Sequence, residues 1–166
     1  MKRYILSLFS FLLLVGCSQT IQFTPTQTST TFYLENIPQN LVTLKIKDLR
    51  AQKQNSEKLS QHIQKILKSS FNQKVVSTNK PLFRINIDII EHEAFFTLGN
   101  WNSRTRFKIK LINLQTNELI NTWSAVGNAH RSNMWGYKTA QKVSEDSFNI
   151  AISDMMSSLS EITFKY

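Results

Sequence analysis

The sequence predicts an α+β fold: a mixed, mainly antiparallel sheet with two amphipathic helices packed on one face. Three observations predict it. Apolar–polar alternation marks one strand near residue 42 and two more between residues 83 and 111, and a further strand signal runs from Leu119 to Ala129. Two segments, one before and one after that group of three, repeat apolar residues at helical spacing. The resulting order is strand, helix, short strand, three-strand meander and long helix, and packing both helices on one face of a sheet buries their stripes.

The elements follow in chain order. Val42, Leu44 and Ile46 alternate with Thr43, Lys45 and Lys47 in the first strand. Polar residues from Arg50 to Asn55 lead to Ser56, a residue type that caps helix starts. Leu59, Ile63, Ile66, Leu67 and Phe71 then fall on one helical face. Val75 and Val76 suggest a short strand before Pro81. Phe83, Ile85, Ile87 and Ile89 alternate with Arg84, Asn86 and Asp88, and Phe107, Ile109 and Leu111 with Arg106, Lys108 and Lys110. The third strand runs from Leu119 to Ala129 around Trp123. Gln115-Thr116-Asn117-Glu118 reads as the turn between the last two strands. Residues 97–104, with Gly99, Asn100 and Asn102, read as the connection between the first two. The closing helix starts near Tyr137 and carries Ala140, Ser144, Phe148, Ala151, Met155 and Leu159 on one stripe.

This domain covers residues 41–166. Ahead of it, residues 1–16 follow the three-part secretory pattern, with Lys2 and Arg3 before an apolar run from Ile5 to Val15. That run is short of the roughly 20 apolar residues a membrane-spanning helix needs. Leu14-Val15-Gly16-Cys17 resembles the lipobox of bacterial lipoproteins. The resemblance implies cleavage before Cys17, a thioether-linked diacylglycerol on its sulfur and an acyl chain on the new amino terminus. Cys17 is the only cysteine in the chain. One acyl chain binds a membrane reversibly, whereas two or three hold it stably. Ser18 in place of Asp favours the outer membrane under the enterobacterial sorting rule, with the domain facing the periplasm.

Residues 17–40, rich in Thr, Gln, Ser and Pro, read as a tether, and about 20 flexible residues would span roughly 25 Å. Ile21, Phe23, Phe32 and Leu34 are apolar for a linker. They leave open that part of the segment lies along the domain as an edge strand.

The chain has 20 basic and 11 acidic residues, and losing Lys2 and Arg3 with the leader reduces the net charge from +9 to +7. A secreted, lipid-anchored protein does not meet nucleic acid. The charge suits anionic head groups, lipopolysaccharide phosphates, peptidoglycan carboxylates or an acidic protein. With Cys17 lipidated, no thiol remains for a disulfide, a nucleophile or a metal. The three remaining glycines form no phosphate-cradling loop.

His62, His92 and His130 lie on three different elements. His62, next to Ile63, is expected at the boundary or surface of its helix. On a strand, Glu91 and Glu93 share one face and His92 points to the other, so the three do not chelate one ion. As a carboxylate pair, Glu91 and Glu93 lack the burial a general acid needs. Ser132 near His130 lacks a nucleophile elbow. The expectation is therefore no enzyme, with no metal and no cofactor.

Two patterns remain. Phe95, Phe96 and Trp101, with Trp135 and Tyr137, read first as a lid over the sheet end and second as an exposed apolar patch for a partner or lipid. Arg104, Arg106, Lys108 and Lys110 share one strand face over about 20 Å. That row reads first as a solvated face partly neutralised by Asp88, and second as a strip that binds an anion or a partner.

Several features together resemble the YajG-type lipoproteins of Gram-negative bacteria. They are the lipobox, the Thr/Pro tether, a strand ending in Asp48-Leu49-Arg50, and a helix closing on Asn72-Gln73 before Val75-Val76. The Trp123-to-Asn128 strand and Ile152-Ser153-Asp154-Met155 complete the set. The similarity lies in pattern and order over most of the chain, with Asn72-Gln73 where the family often has a Gly-containing turn. It implies location and fold and assigns no catalytic residue. The function expected is a membrane-anchored envelope lipoprotein that acts as a non-enzymatic interaction module for an envelope protein partner. The alternative is a binding protein for an anionic or amphipathic envelope ligand, a lipid head group or glycan. The sequence leaves the oligomeric state open.

Overall fold

The structure is a computed structural model that describes residues 20–26, 31–73, 80–132 and 136–163. Residues 1–16, read above as a leader, Cys17, the Val75-Val76 segment and Trp135 lie outside the described residues. The elements are β1 (Thr20–Ile21), β2 (Leu34–Pro38), β3 (Val42–Asp48), α1 (Ser56–Ser70), β4 (Phe71–Asn72), β5 (Phe83–Thr97), β6 (Asn100–Asn113), β7 (Leu119–Ser132) and α2 (Tyr137–Ser160).

The main sheet is mixed and mostly antiparallel, in the order β1-β5-β6-β7, with β3 also paired to β5. β5 is long enough to serve two neighbours on one edge. Its first half runs parallel to β3, from Val42 opposite Phe83 to Asp48 opposite Ile89. The chain returns between these parallel strands through α1, the crossover that parallel pairing requires. Its far end pairs antiparallel with β1. β2 and β4 form a separate two-stranded parallel ladder.

The alternation seen in the sequence orients the strands. Ile85, Ile87 and Ile89 of β5 and Phe107, Ile109 and Leu111 of β6 are buried in one cluster. Leu59, Ile63 and Leu67 of α1 and Phe148, Ile152 and Met155 of α2 join the same cluster. A bulge between Ile89 and Glu91 shifts the parity of β5, so beyond it His92 and Ala94 point inward. At Gly127 on β7, a Cβ would lie 2.6 Å from the Ala151 backbone nitrogen of α2 and collide with the Ser147 carbonyl. Only glycine admits so close a helix. Among the described residues β7 is the edge strand of the sheet, and Asp154 on α2 accepts the Val126 N–H at 3.0 Å. That contact covers part of an edge that would otherwise invite another strand.

Three expectations need correction. First, the fold takes in much of the 17–40 segment read as a tether. β1 is an edge strand, Phe23 is buried with Ala94, Ala140 and Val143, and Leu34 and Ile37 sit in the main core. Second, the 97–104 connection shrinks to Leu98 and Gly99, both at positive φ (50° and 80°), because β5 runs to Thr97 and β6 starts at Asn100. A two-residue loop with positive φ at both positions matches the twist of paired strands. Third, Ser56 opens α1 from inside: Asn55 is the cap residue at φ 54°, and it makes no side-chain cap bond. Among the described residues no helix is long and apolar enough to cross a membrane.

Candidate functional site

The basic row survives folding as one strip. Arg104, Arg106, Lys108 and Lys110 alternate with buried Thr105, Phe107 and Ile109 and project from the opposite face of β6. Two of the four cations have carboxylate partners. Arg106 bonds Glu91 at 2.8 Å, and Lys110 lies 3.5 Å from Asp88. Among the described residues Arg104 donates to the neutral Asn128 amide alone, at 3.2 Å. Lys108 is exposed and has no partner among the described residues.

The register widens the strip beyond what the sequence grouped. Parallel pairing sets Lys45 beside Asn86 and Lys47 beside Asp88, and antiparallel pairing sets Asp88 beside Lys108. Lys45, Lys47 and Lys110 therefore line a cleft of about 150 Å³ with Leu49, Asn86 and nearly buried Asp88. The alternation of Lys45 and Lys47 was visible in the sequence, but their neighbour in the sheet was not. The face now counts seven cations (Lys45, Lys47, Arg84 and the row) against Asp88, Glu91 and Glu93. A strip with that excess attracts phosphates or carboxylates, more weakly as salt rises.

The inner side of the same strands is polar at one place. Arg50 is 4% exposed and grips Asp48 through two nitrogens, at 2.9 and 2.7 Å. It also donates to Gln22 and to the Gln54 and His92 carbonyls. Burial alone would raise the Asp48 carboxyl, but hydrogen bonds from Arg50 and Ser56 and the Arg50 charge hold it below its ordinary value.

His92 is fully buried. Its Nε2 lies 2.8 Å from the Phe23 carbonyl, which can only accept, so Nε2 carries the proton. Nδ1 then accepts from the Thr105 hydroxyl at 2.9 Å. Ser147 and Ser103 extend this chain of hydroxyls to the Glu93 carbonyl. A serine and a histidine linked this way resemble nucleophile chemistry, yet both are sealed inside the fold. The chain satisfies interior polar groups.

The other candidates are scattered. Glu91 and Glu93 share the outer face and His92 the inner one, as the alternation predicts even across the bulge. His130 and Ser132 are exposed on β7, where Ser132 donates to Asn100 at 2.8 Å. His62 is half-buried on α1, its ring 5.6 Å from that of Phe148. Among the described residues no group of three or more His, Cys, Asp or Glu is placed to hold a metal.

No protein-family model matches the chain, and no curated protein matches it. Among solved structures it is similar to protein XCC0632 of Xanthomonas campestris, of the DUF330 family. The identity is 8% over 82% of this chain and 89% of that one, with a TM-score of 0.53. It is also similar to lipoprotein GNA1162 of Neisseria meningitidis, at 8% identity over 70% and 97% of the two chains and a TM-score of 0.41. PelC of Paraburkholderia phytofirmans, solved as a dodecamer, matches at 12% identity over 88% and 99%, with a TM-score of 0.44. At such identities the Xanthomonas likeness is one of fold alone. The YajG-type resemblance rests on the sequence pattern.

Proposed function

We propose that this chain is a membrane-anchored envelope lipoprotein of the YajG-type pattern. Cys17 carries the lipid, and the domain faces the periplasm from the outer membrane. In this reading it is a non-enzymatic interaction module, with both helices covering one face of the sheet and the other left for docking. The observation that supports the docking role is the basic row, where exposed Arg104 and Lys108 lack a carboxylate partner among the described residues. Free cations on a rigid sheet make a docking strip for an acidic partner protein.

Two experiments test the parts separately. Cys17→Ser should abolish incorporation of labelled palmitate; unchanged labelling would sink the anchor. A photoreactive residue at Lys108 in the membrane-bound protein should give a discrete protein adduct, lost when Arg104 and Lys110 become Gln. The absence of any adduct at that position would defeat the docking face.

A second reading is favoured by the cleft among Lys45, Lys47 and Lys110. It is a site for an anionic envelope ligand, such as a lipid head group or an acidic glycan. Adducts to lipid or glycan in place of protein would put that reading first.

A further inference from the structure

The direction of β1 fixes which end of the sheet is nearest the lipid. Thr20 pairs with Phe95 and Ile21 with Ala94, antiparallel. From Ile21 to Thr20 the chain therefore heads toward the β5–β6 turn, and Cys17 is three residues further on. Three residues reach at most about 11 Å. Leu98, in the turn, is also three residues beyond the Thr20–Phe95 rung, about 10 Å along a strand. The opposite end of β6 is roughly 45 Å away, the length of a 14-residue strand. A lipid on Cys17 would therefore hold Thr20, and with it the β5–β6 end of the sheet, within about 11 Å of the anchor.

That end displays an unusual set of side chains. Leu98 is 94% exposed. Behind it Phe96 and Trp101 pair across the hairpin with rings 5.3 Å apart, each partly exposed. Tyr137, 66% exposed at the start of α2, rests its ring 5.0 Å from that of Phe23. Exposed Lys138 and Lys142 follow on the same helix. An apolar tip, aromatic rings behind it and cations further back match the layers of a membrane surface, from acyl chains through head groups to anionic phosphates.

We propose that the β5–β6 hairpin end is a membrane-contact site, seated in the interfacial layer of the bilayer that holds Cys17. The sheet then stands on the membrane, and the basic row runs away from it as a lateral face. This rests on the lipid-anchor reading, and the experiment separates the two.

Lipidation consumes the only thiol, so Leu98→Cys adds a single site for an environment-sensitive fluorophore at a position whose side chain the core does not use. Thr116→Cys, in the turn at the far end, is the reference. Both lipidated proteins, in their processed form, are reconstituted into vesicles of phosphatidylethanolamine and phosphatidylglycerol that contain nitroxide-labelled lipid. The expected result is blue-shifted emission and several-fold stronger nitroxide quenching at position 98 than at 116. Equal quenching at the two positions, in protein that floats with the vesicles and carries lipid by mass spectrometry, would overturn the contact site alone. Protein without lipid on Cys17 that fails to float would overturn the anchor and the contact site together.

Discussion

His92 shows how one buried side chain gives the whole domain a pH response. Burial lowers its pKa to about 4, despite the Phe23 carbonyl that favours the proton. In the unfolded chain the same imidazole titrates near about 6.5. Between those values the unfolded state binds a proton that the folded state refuses, so stability rises with pH across that window. As pH falls from about 6.5 toward 4, about 3 kcal/mol is withdrawn. His62, lowered by burial and by Lys65, acts in the same sense. Asp48 acts at lower pH, because its held-down carboxylate loses stabilising energy only as it protonates. Urea unfolding at pH 7 and pH 5 should show the loss in the native protein and a flatter response in His92→Gln. An unchanged slope in that variant would show that other groups carry the response. Gly127 is the other single residue with a sharp prediction. Gly127→Ala drives a methyl into the Ser147 carbonyl and should cost about 1–3 kcal/mol by forced helix displacement, read as a lower urea midpoint.

Individual elements differ in how legible they were, for physical reasons. β3, β5, β6, α1 and the stripe of α2 follow from periodicity because each buries one face only, and burial enforces the period. The basic row was legible for the same reason. The β5–β6 turn was read too long because Asn100, Asn102 and Ser103 have loop-like composition. In the fold Ser103 points inward and donates to the Glu93 carbonyl at 2.7 Å, a tertiary use of a polar residue that no local pattern announces. The apolar residues Ile21 and Phe23 leave an edge strand open, but a two-residue strand has no period to fix where β1 lies. Lys45 and Lys47 were missed from the strip because the parallel pairing of β3 with β5 is a long-range choice. The row itself is testable at this scale. Arg104→Gln with Lys108→Gln removes two cations that lack carboxylate partners among the described residues, so stability should stay within about 0.5 kcal/mol. Sedimentation of the unlipidated domain, residues 20–166, with anionic vesicles should show binding at low ionic strength that mostly vanishes at physiological salt. The double variant should weaken it by about 1 kcal/mol per charge lost. Tight binding that persists at physiological salt would promote the anionic-ligand reading over the docking module.

At the scale of the whole molecule, the decisive question is where the folding unit begins. The composition boundary is Leu41, but the structure ties the earlier residues into both cores. Phe23 closes the smaller cluster and places its carbonyl on His92, while Leu34 and Ile37 are 2% and 0% exposed in the larger one. Asn36 donates to the Leu159 and Ile162 carbonyls at 2.9 and 2.7 Å, holding the end of α2. Gln22 accepts from Arg50 and so helps seat the loop before α1. Burying three large apolar side chains is worth roughly 4.5–9 kcal/mol, at about 1.5–3 kcal/mol each. That is comparable with the whole stability of an ordinary domain, about 5–15 kcal/mol. Residues 20–166 should therefore unfold in one cooperative thermal transition, whereas residues 41–166 should lose that transition or melt far lower. Equal melting of the two fragments would mean that the segment before Leu41 is a passenger on a core that closes without it. A difference of the expected size would make the segment before Leu41 part of the fold, so that pulling it off the sheet costs the domain its stability.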